Sequence, residues 1–201
     1  MTAVFRDVLP SDIVVSGCKR LEHGTMVFLR GAGGPVRVQT PALLLDWTVE
    51  IKRFRGTTGC ELGLTLGDDD SKAQELKQWL QALTAHLKTL AVAGAEDWTG
   101  RAITMDALNN GSFTHAVKTQ RSNPGVYFKM KVAFADEQIQ LPVFAPDMMR
   151  LTTDSLVQGA RCTVVFDVPH IWISNNGVVT PKIIANKVLC YGTPNEFAPE
   201  A

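Results

Sequence analysis

One stretch of nine residues, VYFKMKVAF at 126–134, places an aromatic ring and two lysines at alternate positions. Alternate residues of a β-strand point to the same side of a sheet, so Tyr127, Lys129 and Lys131 would share one face, opposite the apolar residues. The lysines would lie about 7 Å apart, the rise of two strand residues. This spacing is close to that of phosphates along an extended nucleic-acid strand, which predicts a stacking and phosphate-binding surface. A solvated face whose lysines protect a sheet edge is the alternative.

Other basic and aromatic residues could extend this surface. In the run PHIWI at 169–173, His170 and Trp172 alternate with isoleucines, so their rings face outwards if the isoleucines face the core. Lys182 follows just beyond a turn predicted at Asn175-Asn176-Gly177. A second basic and aromatic run ends an earlier strand, where it either extends the groove or is only a charged strand end. This run is Lys52-Arg53-Phe54-Arg55.

Signatures of catalysis are missing from the sequence. It has no GxSxG, HExxH, GxxxxGK[ST] or DxDxDG motif. The glycine-rich segment at 31–34 is followed by Pro35 and a strand, which favours a β-turn over a phosphate-binding loop. The four histidines are scattered without a partner at metal-ligand spacing. We therefore expect a binding protein that is not an enzyme and has no cofactor or metal.

The composition indicates an ordinary globular protein. The chain has 201 residues, 45% of them hydrophobic, and its 20 basic residues balance its 20 acidic residues. Residues 101–192 nevertheless hold nine Lys and Arg against six Asp and Glu. Four widely spaced cysteines without a CxxC pair, no signal peptide and no long apolar run predict a soluble intracellular protein that does not bind membranes.

The first 98 residues are predicted to form a β-region followed by an amphipathic helix. Short β-like runs separated by glycines extend from Ile13 to Leu66. Apolar positions at helical spacing predict a helix over about 71–92, with a capping box at Ser71 and Gln74 and its end at Gly94. The leucine stripe of this helix would cover a sheet; gripping a partner is the alternative.

The order of elements from residue 99 to 192 predicts a five-stranded oligonucleotide/oligosaccharide-binding barrel, the OB-fold. Three strands over 112–144 are followed by a short, polar and potentially helical connection and then by two strands that end at Tyr191. Lys118 and Arg121 lie in the loop between the first two strands, which borders the usual ligand groove of such a barrel. Residues 193–201 would be a flexible tail, and the two larger regions could form one compact domain.

The pair SFTHAVK and VYFKMKV, the segment LVQGARCTVVFDV and the hairpin HIWISNNGVVTPKIIANKVLCY resemble OB-fold single-stranded-DNA-binding proteins of large double-stranded DNA viruses and tailed phages. The resemblance covers less than half the chain. It implies a protein that coats single-stranded DNA in replication or recombination, with RNA as an alternative ligand. It also implies that the protein contacts replication proteins and forms homo-oligomers. Its location would be the nucleus or cytoplasm of a host cell.

Phage members of this family carry a strongly acidic tail that ends in an aromatic residue and contacts partner enzymes. Glu196, Phe197 and Glu200 are a weak version of such a tail. Two other classes of function remain open from the sequence. One is a viral structural or protein-interaction protein without catalysis, and the other is an enzyme or carbohydrate-binding module on the same β architecture.

Overall fold

A computed structural model describes residues 3–54, 57–119 and 125–192 of the chain. The predicted binding residues Arg55 and Arg121 and the tail from residue 193 lie outside these ranges, as does the side chain of Phe54.

Within the described residues the chain forms fifteen strands and two α-helices. Strands β1 to β7 are Ala3–Val4, Val14–Leu21, Gly24–Arg30, Arg37–Gln39, Leu43–Leu44, Ile51–Phe54 and Thr57–Thr65. Helices α1 and α2 are Ser71–Thr99 and Met105–Asn109. Strands β8 to β15 are Val117–Thr119, Val126–Val132, Phe134–Ala135, Gln138–Ile139, Val143–Phe144, Arg150–Leu151, Arg161–Ser174 and Val179–Cys190. Short 3-10 helices are formed by Phe5–Asp7, Pro10–Asp12 and Thr153–Ser155.

The main strands close into a five-membered ring. Strands β4 and β5 pair with β14, which forms an antiparallel hairpin with β15. Strand β15 is parallel to β9, and β9 is antiparallel to β7. A bridge between Leu45 and Leu64 joins the β5 segment to β7 and closes the ring. This order is that of an OB barrel, so the predicted fold class, mainly β with one long helix and an OB-like barrel, is confirmed.

The ring draws its first two members from before α1, whereas the sequence placed all five strands after residue 111. The predicted strand over 138–144 is interrupted at Pro142, which has no N–H to donate to a ladder, and forms only the short strands β11 and β12. The predicted helical connection is a turn around Met148, whose φ of 68° is left-handed, followed by one short 3-10 helix. The long helix therefore lies between the second and third ring strands.

Helix α1 is longer than predicted and has a different cap. Asp70 is the N-cap, and its carboxylate accepts from the backbone N–H groups of Lys72 and Ala73, so the capping box predicted at Ser71 does not form. Gly94 lies inside the helix and does not end it. Its role is to make room for the Trp98 ring, since a Cβ there would lie 2.1 Å from that ring. The helix ends at Gly100, whose φ of 77° is left-handed.

The apolar stripe of α1 packs on the core, as the helical spacing predicts. Five of its six members are buried and the sixth is partly buried; they are Leu76, Trp79, Leu80, Leu83, Leu87 and Leu90. The Trp79 indole donates to the Val8 carbonyl at 2.6 Å and meets the Phe166 ring edge-on, at 6.2 Å between centroids. Through Trp79, helix α1 contacts both the N-terminal segment and the interior of the barrel.

Two predicted turns are confirmed. Gly177 has a left-handed φ of 78° and its N–H donates to the Ser174 carbonyl, which closes the β14–β15 hairpin. Gly31 and Gly34 exchange backbone hydrogen bonds of 2.8 and 3.3 Å, so this glycine-rich segment is a turn.

In the part of the chain that the structure describes, neither helix has the length and apolar character that crossing a membrane requires.

Candidate nucleic-acid interface

Strand β9 presents a basic and aromatic face on the outside of the ring. Phe128, Met130 and Val132 are at most 4% exposed and point into the core. Tyr127 and Lys129 are partly exposed and Lys131 is exposed, so the alternation predicted from the sequence is confirmed. In the ring β9 is the third strand and β7 the second, and the face of these two strands is where OB-folds bind oligonucleotides.

A tryptophan that the sequence did not single out joins this face. The rings of Trp47 and Tyr127 meet edge-on, with centroids 5.1 Å apart and planes at 83°. The Trp47 indole N–H donates to the Glu61 carbonyl at 3.1 Å. The ring lies over Gly63, where a Cβ would come within 2.3 Å of it. Because Gly63 has no side chain, the Trp47 indole can pack directly on the sheet at this position.

Three lysines lie around the aromatic pair. Lys118 was predicted to lie in a loop but belongs to strand β8. It is opposite Tyr127 in the antiparallel ladder and therefore shares its face. A groove of about 220 Å³ runs between β8, β9 and the start of β15. Its lining includes Lys118, Lys129, Lys131, His115, Thr180 and Pro181. The structure thus brings together four of the predicted binding residues.

Both β9 lysines bind the same carboxylate. Glu61 lies opposite Lys131 in the β7–β9 ladder. Its Oε2 accepts from Lys129 Nζ at 2.8 Å and its Oε1 from Lys131 Nζ at 2.5 Å. Burial raises the pKa of Glu61, but the two lysine hydrogen bonds outweigh it, so the net pKa lies below the usual value. Glu61 is therefore ionised at neutral pH, and the three groups together carry one positive charge.

Lys52 and Arg53 of the predicted basic run point to opposite faces of β6. Lys52 is opposite Gly59, two residues from Glu61, and so continues the face of Trp47 and the β9 lysines. Arg53 points the other way and forms an ion pair with Glu137. Lys52 therefore extends the face of Trp47 and the β9 lysines, whereas the ion pair of Arg53 links the β6–β7 hairpin to the β10–β11 hairpin.

The predicted residues of β14 and β15 form a second group on the outside of the ring. His170 is opposite both Lys182 and Phe28, and its ring meets that of Phe28 edge-on at 6.3 Å. Burial, and to a lesser extent Lys182, lowers the pKa of His170, so its ring is neutral at pH 7. The Trp172 ring covers Gly24, where a Cβ would lie 2.6 Å from it.

Strand β15 carries Lys182 of this second group and lies between β9 and β14 in the sheet. The ladders place Ile184 opposite Lys131 on one side and opposite Asp167 on the other. The Asp167 carboxylate is held by Arg37 at 2.8 and 2.9 Å and by Asn186 at 2.9 Å. Both groups therefore lie on the outer face of one sheet, and Ile184 lies between Lys131 and the Arg37–Asp167 ion pair.

Four residues of the two groups are not predicted by the sequence patterns: Trp47, Glu61, Gly63 and Phe28. A lone glycine inside the strand CELGLTL was the one available signal, because such a glycine often marks a close approach of another group. The neighbouring sequence does not identify that group, because Trp47 comes to lie over Gly63 only where the Leu45–Leu64 bridge closes the ring.

No protein-family model matches the chain, and no curated protein matches it. Among solved structures, the chain is similar to gp2.5, a single-stranded DNA-binding protein encoded by bacteriophage T7. The sequence identity is 11% and the TM-score 0.53, over 82% of this chain and 96% of that chain. It is also similar to the single-stranded DNA-binding protein from bacteriophage Enc34, with 9% identity and a TM-score of 0.50 over 93% of each chain. The likeness establishes a shared fold, and the resemblance expected from the sequence is confirmed at that level.

Proposed function

We propose that this protein binds single-stranded DNA without strong sequence preference, in replication or recombination, and that it has no catalytic role. The observation that carries the proposal is the Trp47–Tyr127 ring pair, aligned with Lys129 and Lys131 on the face of the second and third ring strands. Two solved structures that share this fold are named single-stranded DNA-binding proteins, which supports the proposal.

The arrangement suits an unpaired strand better than a duplex. Bases that are not paired can stack on exposed aromatic rings, each stack contributing about 1 to 3 kcal/mol. The lysines would follow the phosphates, and each neutralised phosphate would add about −0.7 to the slope of log K against log salt for a single strand. Stacking does not select among bases, so the expected preference for sequence is weak. Single-stranded RNA offers the same bases and phosphates and is the alternative ligand.

The same proposal covers the assembly, the partners and the location of the protein. Coating of a strand is compatible with homo-oligomers and with contacts to replication proteins, in the nucleus or cytoplasm of a host cell if the protein is viral.

Fluorescence titration of labelled oligo-dT at about 50 and 200 mM salt, beside a duplex of equal length, tests the proposal. We expect binding to oligo-dT that weakens with salt and exceeds binding to the duplex. Equal binding to both, or none to oligo-dT, would contradict it.

A further inference from the structure

Glu61 occupies the place of a ligand within the proposed interface. Each of its carboxylate oxygens accepts from a different lysine, Lys129 or Lys131, and the Glu61 side chain is 29% exposed. A phosphodiester resembles this carboxylate in two respects: it carries one negative charge and has two unesterified oxygens. The geometry that holds Glu61 is therefore also suited to a backbone phosphate.

We infer that Glu61 is an internal substitute for phosphate that limits the affinity of this face for single-stranded DNA, an inference that rests on the proposed function. A phosphate that binds Lys129 and Lys131 must displace the carboxylate or share its donors. The phosphate also approaches the negative charge of the Glu61 carboxylate. Both effects weaken binding and reduce the number of counterions that binding releases.

The ion pairs of Glu61 are suited to this exchange because they are only partly buried. Lys129 is 33% and Lys131 50% exposed, so solvent can take over their hydrogen bonds when the carboxylate moves. The face needs no rearrangement of the backbone for the exchange, since all three groups are side chains on paired strands.

Replacement of the carboxylate leaves the aromatic pair in place. The hydrogen bond from Trp47 goes to the main-chain carbonyl of Glu61, which every substitution retains. The variant Glu61→Gln keeps the length of the side chain and removes its charge. A change in binding by this variant therefore reports on the carboxylate and not on loss of the stacking platform.

The test is the oligo-dT titration of wild type, Glu61→Gln and Glu75→Gln at several salt concentrations. Glu75 lies on α1 and pairs with Arg6, so this control removes one charge and one surface ion pair away from the face. We expect Glu61→Gln to bind about fivefold more tightly at low salt, from the loss of one unit charge near a phosphate. Its salt slope should be steeper by about 0.7 for each additional phosphate bound. Glu75→Gln should match wild type.

Each other outcome overturns the inference in a distinguishable way. Weaker binding by Glu61→Gln would show that Glu61 positions the lysines, and equal gains in both variants would show an effect of net charge alone. Unchanged binding by Glu61→Gln, with wild type still bound, overturns only this inference. A wild type that does not bind oligo-dT overturns the proposed function as well. Glu61→Met, of similar length and without charge, repeats the test if the Gln variant does not fold.

Discussion

At the scale of single residues, stacking and charge make separable contributions to the proposed interface. Trp47 and Tyr127 supply aromatic surface, and the stacking that we propose for them involves no charge, so it should not depend on ionic strength. We predict that Trp47→Ala or Tyr127→Ala weakens oligo-dT binding by about 1 to 3 kcal/mol and leaves the salt slope unchanged. Tyr127→Phe keeps the ring and should bind like wild type in the same fluorescence titration. A changed slope, or full affinity in both Ala variants, would argue against stacking at this pair.

The charge of the second group is limited by burial. Because the pKa of His170 is lowered, its ring adds no positive charge at neutral pH. Lys182, opposite His170 on β15, is the basic residue of this group. We therefore assign the proposed phosphate contacts mainly to Lys118 and the β9 lysines.

Among the strands and helices, the period of the sequence predicts which residues share a face. It does not predict features that depend on which side chains pack together. The two-residue period of β9 places Tyr127, Lys129 and Lys131 on one face, and the helical period of α1 identifies the buried stripe. The end of α1 is missed because Gly94 makes room for the Trp98 ring, a packing role that local propensity cannot distinguish from a helix stop.

Strand pairing explains why the ring itself was only partly predicted. Any strand after residue 111 could fill the first two positions of an OB barrel from its local pattern. The structure fills them with β4–β5 and β7, and Arg37 of β4 binds Asp167 across a separation of 130 residues. Such a pairing has no local signal. For the same reason, the position of Trp47 over Gly63 became visible only once the ring was closed.

At the scale of the whole molecule, strands from both sides of residue 98 belong to one sheet. We propose that residues 1–192 form one domain, because β14 pairs with N-terminal strands on one edge and with β15 on the other. We predict a single unfolding transition in urea, with coincident curves from tryptophan fluorescence and far-ultraviolet circular dichroism. Two separated transitions would indicate independent N-terminal and C-terminal domains.

We propose that an unpaired strand lies on the face of Trp47, Tyr127 and the β9 lysines. Photocrosslinking with an oligonucleotide that carries 5-iododeoxyuridine, followed by mass spectrometry, tests it most directly, because the crosslink forms with aromatic side chains in contact with a base. The control is the same oligonucleotide annealed to its complement. We expect crosslinks at Trp47 or Tyr127 with the single strand, and their loss in the double variant Trp47→Ala/Tyr127→Ala. Crosslinks confined to Trp98, on the C-terminal turn of α1, would contradict it.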